Sequence, residues 1–159
     1  MNILVLCTGN SARSILLEAI LTAQSGGAVT AYSAGSQPAG KVHPQSLKLL
    51  AREGYDVSGA RSKSWDEFAL PDAPKMDAVI TVCGSAAEET CPMWPGVPLR
   101  THWGVEDPAA ALEPDWEEAF ASAYATLKRR AEAFLEGPIE TMSAEQLKRH
   151  LDACATISA

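Results

Sequence analysis

Asn2-Ile3-Leu4-Val5-Leu6-Cys7-Thr8-Gly9-Asn10-Ser11-Ala12-Arg13-Ser14 is the stretch on which the fold turns. After Asn2 it is continuously apolar and rich in Ile, Leu and Val, the pattern of a parallel strand buried on both faces. It breaks at a turn-rich segment, Cys7 to Ser11. Beyond that, Ile15, Leu16, Ala19, Ile20 and Ala23 recur at helical spacing, so a helix should begin between Ser11 and Ser14 and stop at Gly26-Gly27. Strand, short loop and helix N-terminus in that order form an anion cradle. Successive backbone N–H groups turn inward, and the unsatisfied donors of the first helical turn face the same point.

The same pattern continues outward. Val29 to Ser33 reads as a second strand closed by Ala34-Gly35, and Pro44 suits the first turn of a helix running to Gly54. Asp77 to Cys83 gives a third strand and Val97 to Trp103 a fourth. A long helix is expected from Pro114 to Leu135, with core positions at Trp116, Phe120, Tyr124, Leu127, Ala131 and Phe134. Ser143 and Gln146 make a capping box for a last helix from Ala144 to about Ala155. Gln37 to Val42 is a loop, and Asp56 to Pro74 a longer connection with a helical turn near Trp65 to Phe68. Strands alternating with helices predict an α/β single domain over residues 1–159: a parallel sheet of about four strands flanked by helices on both faces. Residues 139–159 form a C-terminal helical extension.

With 159 residues, 47% of them hydrophobic and 21% charged, the chain can build a full core. Its apolar runs are too short to cross a membrane. Met1-Asn2 leads straight into a strand without a basic signal region, so a cytoplasmic protein is expected. A net charge of −7 disfavours nucleic acid or an anionic membrane as partner, and makes an anionic substrate depend on a local positive site. The cysteines Cys7, Cys83, Cys91 and Cys154 match no zinc spacing, so no metal site is expected; in a reducing compartment they are either inert core thiols or redox groups. No flavin or nicotinamide motif is present, and no cofactor is expected.

Cys7 to Ser14 is C-x5-R followed by Ser. In it Cys7 is the nucleophile, its thiol expected to be acidified by the helix N-terminus and the guanidinium. The amides of Thr8, Gly9, Asn10, Ser11 and Ala12 bind the oxyanion. Gly9 should take a conformation that a Cβ would forbid. Arg13 grips two oxygens at once, and Ser14 donates to the sulfur. Glu106-Asp107-Pro108 follows the fourth strand. Loops at the carboxyl ends of neighbouring parallel strands converge on one crevice, so Asp107 is placed to protonate a leaving oxygen. His43 should shape a turn or cap a helix, His102 pack near the loop, and Glu18 bond loop amides. Trp65, Trp94 and Trp103 should be core or lid, and Cys154 an apolar-face thiol.

These residues resemble the low-molecular-weight tyrosine phosphatase superfamily, with Tyr32-Ser33-Ala34-Gly35 and His43-Pro44 also matching. Val79 to Cys83, Cys91-Pro92 and His102-Trp103-Gly104 resemble its arsenate reductase branch. That resemblance implies arsenate as substrate and a thiol relay. Cys7 forms an adduct with arsenate, Cys83 attacks Cys7 as arsenite leaves, and Cys91 then moves the disulfide to where thioredoxin, or glutathione with glutaredoxin, reduces it. Some relatives hold potassium at residues equivalent to Asn10, Glu18, Ser33 and an aspartate. Lys63 stands in place of that aspartate, so no potassium site is expected. The rival readings are a phosphatase using the same Cys7, Arg13 and Asp107, and a redox sensor that only holds an anion. If Gly84 to Thr90 were helical, Cys83 and Cys91 would stand about 12 Å apart. A disulfide tolerates roughly 4.4–6.8 Å, so the relay requires that segment to unwind.

Overall fold

Strand β1, Asn2–Leu6, is the centre of the molecule: Ile3, Leu4, Val5 and Leu6 are all fully buried. This is what a run with apolar side chains on both faces of a pleat dictates. The computed structural model describes residues 1–84 and 98–158. Cys91 and Trp94 lie outside the described residues, and so does most of the Gly84–Thr90 segment.

In chain order, β1 is followed by α1 (Arg13–Gln24), β2 (Thr30–Ala34), α2 (Pro44–Arg52), β3 (Ala78–Thr81), β4 (Leu99–His102), α3 (Trp116–Glu136) and α4 (Ala144–Cys154). Short 3-10 turns occupy Trp65–Phe68, Pro108–Ala110 and Glu113–Asp115. The four strands are all parallel, in the order β2-β1-β3-β4. Strand β1 has the expected ends and β2 lies one residue later than Val29–Ser33, while β3 and β4 stop two and one residues before Cys83 and Trp103, where the chain leaves the ladder to enter the site loops. The long helix starts at Trp116 rather than Pro114, since Glu113–Asp115 forms a separate 3-10 turn ahead of it.

The strand order positions the site. From β1 the chain crosses to β2 on one side, while β3 leads on to β4 on the other. Loops leaving the carboxyl ends of β1 and β3 therefore diverge and open a crevice at this reversal. Cys7 follows the last residue of β1, and Cys83 lies two residues past the end of β3.

Helix α3 packs against α1, α2 and α4, and its side chains Phe120, Leu127, Ala131 and Phe134 are fully buried. Helix α4 begins with the expected capping box, Ser143 accepting from the Gln146 amide and Gln146 from that of Ser143, and packs on β4 and α3. Cys154 on it is buried in the core, and burial raises its thiol pKa. No described helix is long and apolar enough to cross a membrane.

Candidate active site

The cradle is built by pinning its carbonyls outward. The Thr8 carbonyl accepts from the Gln37 amide at 3.0 Å, that of Gly9 from Ala39 at 2.9 Å, and that of Ser11 from His43 at 3.0 Å. Hydroxyls add to this, Ser62 bonding Gly9 O and Ser46 bonding Ser11 O. A peptide whose carbonyl is held outward turns its N–H inward, so these contacts aim the loop donors at one point. Helix α1 contributes the same field: it has no side-chain cap and no acidic residue in its first turn.

Asn10, not Gly9, carries the strained conformation. Its φ is +45°, while Gly9 lies outside the positive-φ region and a Cβ on it would meet nothing. Asn10 is fully buried and holds the left-handed turn with its own amide, donating to Ser14 Oγ at 2.8 Å and accepting from the Lys63 amide at 2.9 Å. Asparagine is among the side chains that tolerate this region best, and here both ends of its amide are engaged. The glycine that the cradle needs is Gly35 at the end of β2. A Cβ there would lie 2.3 Å from the Thr8 carbonyl oxygen and 2.6 Å from that of Cys7.

The two thiols meet. Cys7 and Cys83 are 6% and 4% exposed, and Cys83 Sγ lies 3.4 Å from the Thr8 amide and 3.5 Å from its hydroxyl. A hydrogen bond with Cys83, together with burial, raises the Cys7 thiol pKa, against the pull of Arg13 and of the Gly9 amide. This reverses the acidified thiol expected from sequence. The guanidinium and the Gly9 amide act in the expected direction, but they are outweighed by burial and a second buried thiol outside the Cys7–Ser14 motif.

Arg13 and Asp107 also come together. The guanidinium donates to the Val105 carbonyl at 2.9 Å and lies 3.7 Å from the Asp107 carboxylate, while its buried Nε finds no partner among the described residues. Asp107 caps the following turn through the Ala109 amide at 3.0 Å and leaves 45% of its side chain exposed.

Beneath the loop, Lys63 extends its ammonium to Ser33 Oγ at 3.3 Å and to Glu18 at 4.0 Å, and Ser33 donates to Glu18 at 3.0 Å. An ammonium group therefore lies among the side chains to which the resemblance assigns potassium. Burial pushes Glu18 up and Lys63 down, each opposed by the other's charge. Glu18 was expected to bond loop amides, but it bonds Ser33 and Lys63 instead, because it sits one helical turn beyond Ser14 and faces β2. His43 caps α2 by accepting from the Gln45 amide at 3.0 Å. Trp103 is fully buried and His102 bonds Thr81 at 2.8 Å.

Residues 2–152 match the model of the low molecular weight phosphotyrosine protein phosphatases. The chain belongs to this family. Within it, the chain is 41% identical over 116 residues to the arsenate reductase of Bacillus licheniformis, covering 73% of this chain and 79% of that one. Its identity with the arsenate reductase of Bacillus subtilis is 40% over 113 residues, 71% and 78% of the two chains. Among solved members, the thioredoxin-dependent arsenate reductase of Corynebacterium glutamicum superposes with a TM-score of 0.57 at 30% identity, over 80% of this chain and 58% of that one. The arsenate reductase of Archaeoglobus fulgidus gives a TM-score of 0.61 at 29% identity, over 82% and 98%.

Proposed function

We propose that the protein reduces arsenate to arsenite by a relay of thiols. The observation that carries the reading is the second thiol on the cradle, Cys83 beside Cys7 and 3.4 Å from the Thr8 amide. Hydrolysis of a phosphoester would use Cys7, Arg13 and Asp107 but leave Cys83 without a role. The arsenate reductases of the two Bacillus species, at 40% identity or above, point the same way.

The amides of residues 8–12 and the Arg13 guanidinium receive the arsenate oxygens, with the Nε of Arg13 available for one of them. Cys83 releases its hydrogen bond, Cys7 passes its proton to an oxygen of the bound arsenate, and the Cys7 thiolate attacks arsenic. Asp107 gives a proton to the departing oxygen, which leaves as water. Ser14, whose hydroxyl accepts from Asn10, keeps its own proton for the Cys7 sulfur. Cys83 then attacks Cys7. The S–As bond breaks, its electron pair goes to arsenic, and As(V) leaves as arsenite with a Cys7–Cys83 disulfide behind. Cys91 attacks Cys83 in turn, which frees Cys7 and presents a Cys83–Cys91 disulfide to a reductant, thioredoxin by analogy with the Corynebacterium protein. The setting is the cytoplasm, where such thiols stay reduced.

The test follows NADPH consumption with arsenate and purified protein. One tube supplies thioredoxin with its reductase, another glutathione with glutaredoxin. Turnover in the first alone is expected. Turnover only in the second replaces thioredoxin in the scheme, and none in either refutes the reductase reading.

A further inference from the structure

Arg130 is a buried cation that the relay does not use. It sits on the core side of α3, 8% exposed, between the fully buried Leu127 and Ala131. Among the described residues it has no carboxylate partner, and burial lowers its pKa. An uncompensated guanidinium in a core is costly, and a methionine would fill such a site at less expense. What Arg130 does there is bridge two carbonyls. Its Nε donates to Ile157 O at 2.8 Å, and a terminal nitrogen to Gly104 O at 3.2 Å.

Gly104 opens the acid loop, whose start and far end are held differently. An open groove of about 730 Å³ runs between the loop and α3, lined by Glu118, Ser122 and Thr126 on the helix. The far end of the loop is fixed by packing, Pro108 being buried against α3 and the Trp116 indole bonding the Ala111 carbonyl at 2.8 Å, whereas its start is held by discrete bonds. Val105 is held from the cradle side, its carbonyl by Arg13 and its amide by Val82 O at 3.3 Å. Gly104 is held from the other side by Arg130. Trp103, just before it, is tied to the same C-terminal segment by its indole N–H, 2.9 Å from Leu151 O.

We propose that Arg130 is a positioning residue for the reaction, coupling the C-terminal segment to the acid loop so that Asp107 stays over the cradle. The inference rests on the reading of Asp107 as general acid. It gives residues 139–158 a part in catalysis, through the Leu151 and Ile157 carbonyls.

The test measures single-turnover arsenite release against pH in the full chain, its Arg130→Gln, Asp107→Asn and double variants, and a chain ended after Ala155, all below their melting temperatures. Arsenate affinity is measured in a Cys7→Ser background. Arg130→Gln should slow release by about 10-fold, the scale of a sub-ångström misplacement, while changing arsenate affinity less than about 2-fold. It should flatten the pH limb that Asp107→Asn removes, and the double variant should be no slower than Asp107→Asn alone. The shortened chain should show the same change in profile, and Arg130→Lys a partial return, so the test survives if Arg130→Gln does not fold. Multiplying losses in the double variant, or a wild-type profile in Arg130→Gln, overturns the proposal. An Asp107→Asn variant as fast as wild type overturns it too, and marks the acid assignment as the part that failed.

Discussion

The cradle and the acid loop face the same crevice but are held in opposite ways. The cradle is over-determined: Thr8, Gly9 and Ser11 each have their carbonyls tied to a neighbouring loop, Asn10 bonds at both ends of its amide, and the backbone of Gly35 presses against it. The acid loop borders an open groove: its start is tied by bonds at Gly104 and Val105, its far end packs Pro108 on α3, and its carboxylate is half-exposed. The difference follows from what the proposed reaction asks of each. An oxyanion site gains most when its dipoles are fixed before charge develops. A proton donor has to reach a leaving oxygen and then admit the second thiol.

Four changes would break or sharpen this contrast, and the largest effect belongs to the nucleophile. Cys7→Ser should abolish both arsenate reduction and any aryl phosphate hydrolysis, because the alcohol is a poor nucleophile at neutral pH and no histidine base touches it. Measurable turnover of either substrate removes Cys7 from its role. Gly35→Ala comes next. Its Cβ would overlap the Thr8 and Cys7 carbonyl oxygens, so the loop must shift. A destabilisation of about 1–3 kcal/mol is expected, with arsenate affinity lost at the same time. A thermal melt and a binding isotherm check it, and a normal isotherm would show the cradle to be softer than described.

A smaller effect concerns pH. His43 caps α2 with a neutral ring nitrogen, and burial, the largest cause, lowers its pKa below the ordinary 6.5. Below that value the unfolded chain takes up a proton that the folded chain refuses, so stability is present above about pH 6.5 and lost as pH falls. The melting temperature should drop between pH 7 and 5. His43→Asn, which keeps a capping oxygen, should flatten that drop, and an equal drop in the variant assigns it to other groups. The smallest expected effect is none: potassium should not raise the melting temperature beyond matched sodium, because the Lys63 ammonium already lies beside Ser33 and Glu18. A potassium-specific shift would place a cation elsewhere.

How far the sequence could be read differs between the two regions for the same physical reason. Strand, loop and helix N-terminus are local patterns, so Cys7 to Ser14 announced the cradle, and apolar periodicity gave the sheet and long helix to within a few residues. The place of Asp107 beside Arg13 was legible because parallel strands deliver their loops to one edge. What failed depends on contacts between distant segments. Nothing near Gly9 says that Asn10 takes the left-handed turn under support from Lys63. The rise in the Cys7 pKa comes from a thiol 76 residues away. Arg130 lay on a helix whose apolar positions were recognised, yet only the Ile157 and Gly104 carbonyls explain a guanidinium among them.

The central claim is that the second thiol turns an oxyanion cradle into a reductase, and a single turnover without external reductant tests it most directly. Reduced wild type and Cys83→Ser are each mixed with an equivalent of arsenate, quenched, and assayed for free arsenite, protein-bound arsenic and disulfide-linked peptides. The wild type should release an equivalent of arsenite and yield a bridge that includes Cys83. Cys83→Ser should release none and retain arsenic on Cys7. Stoichiometric arsenite from Cys83→Ser would contradict the account.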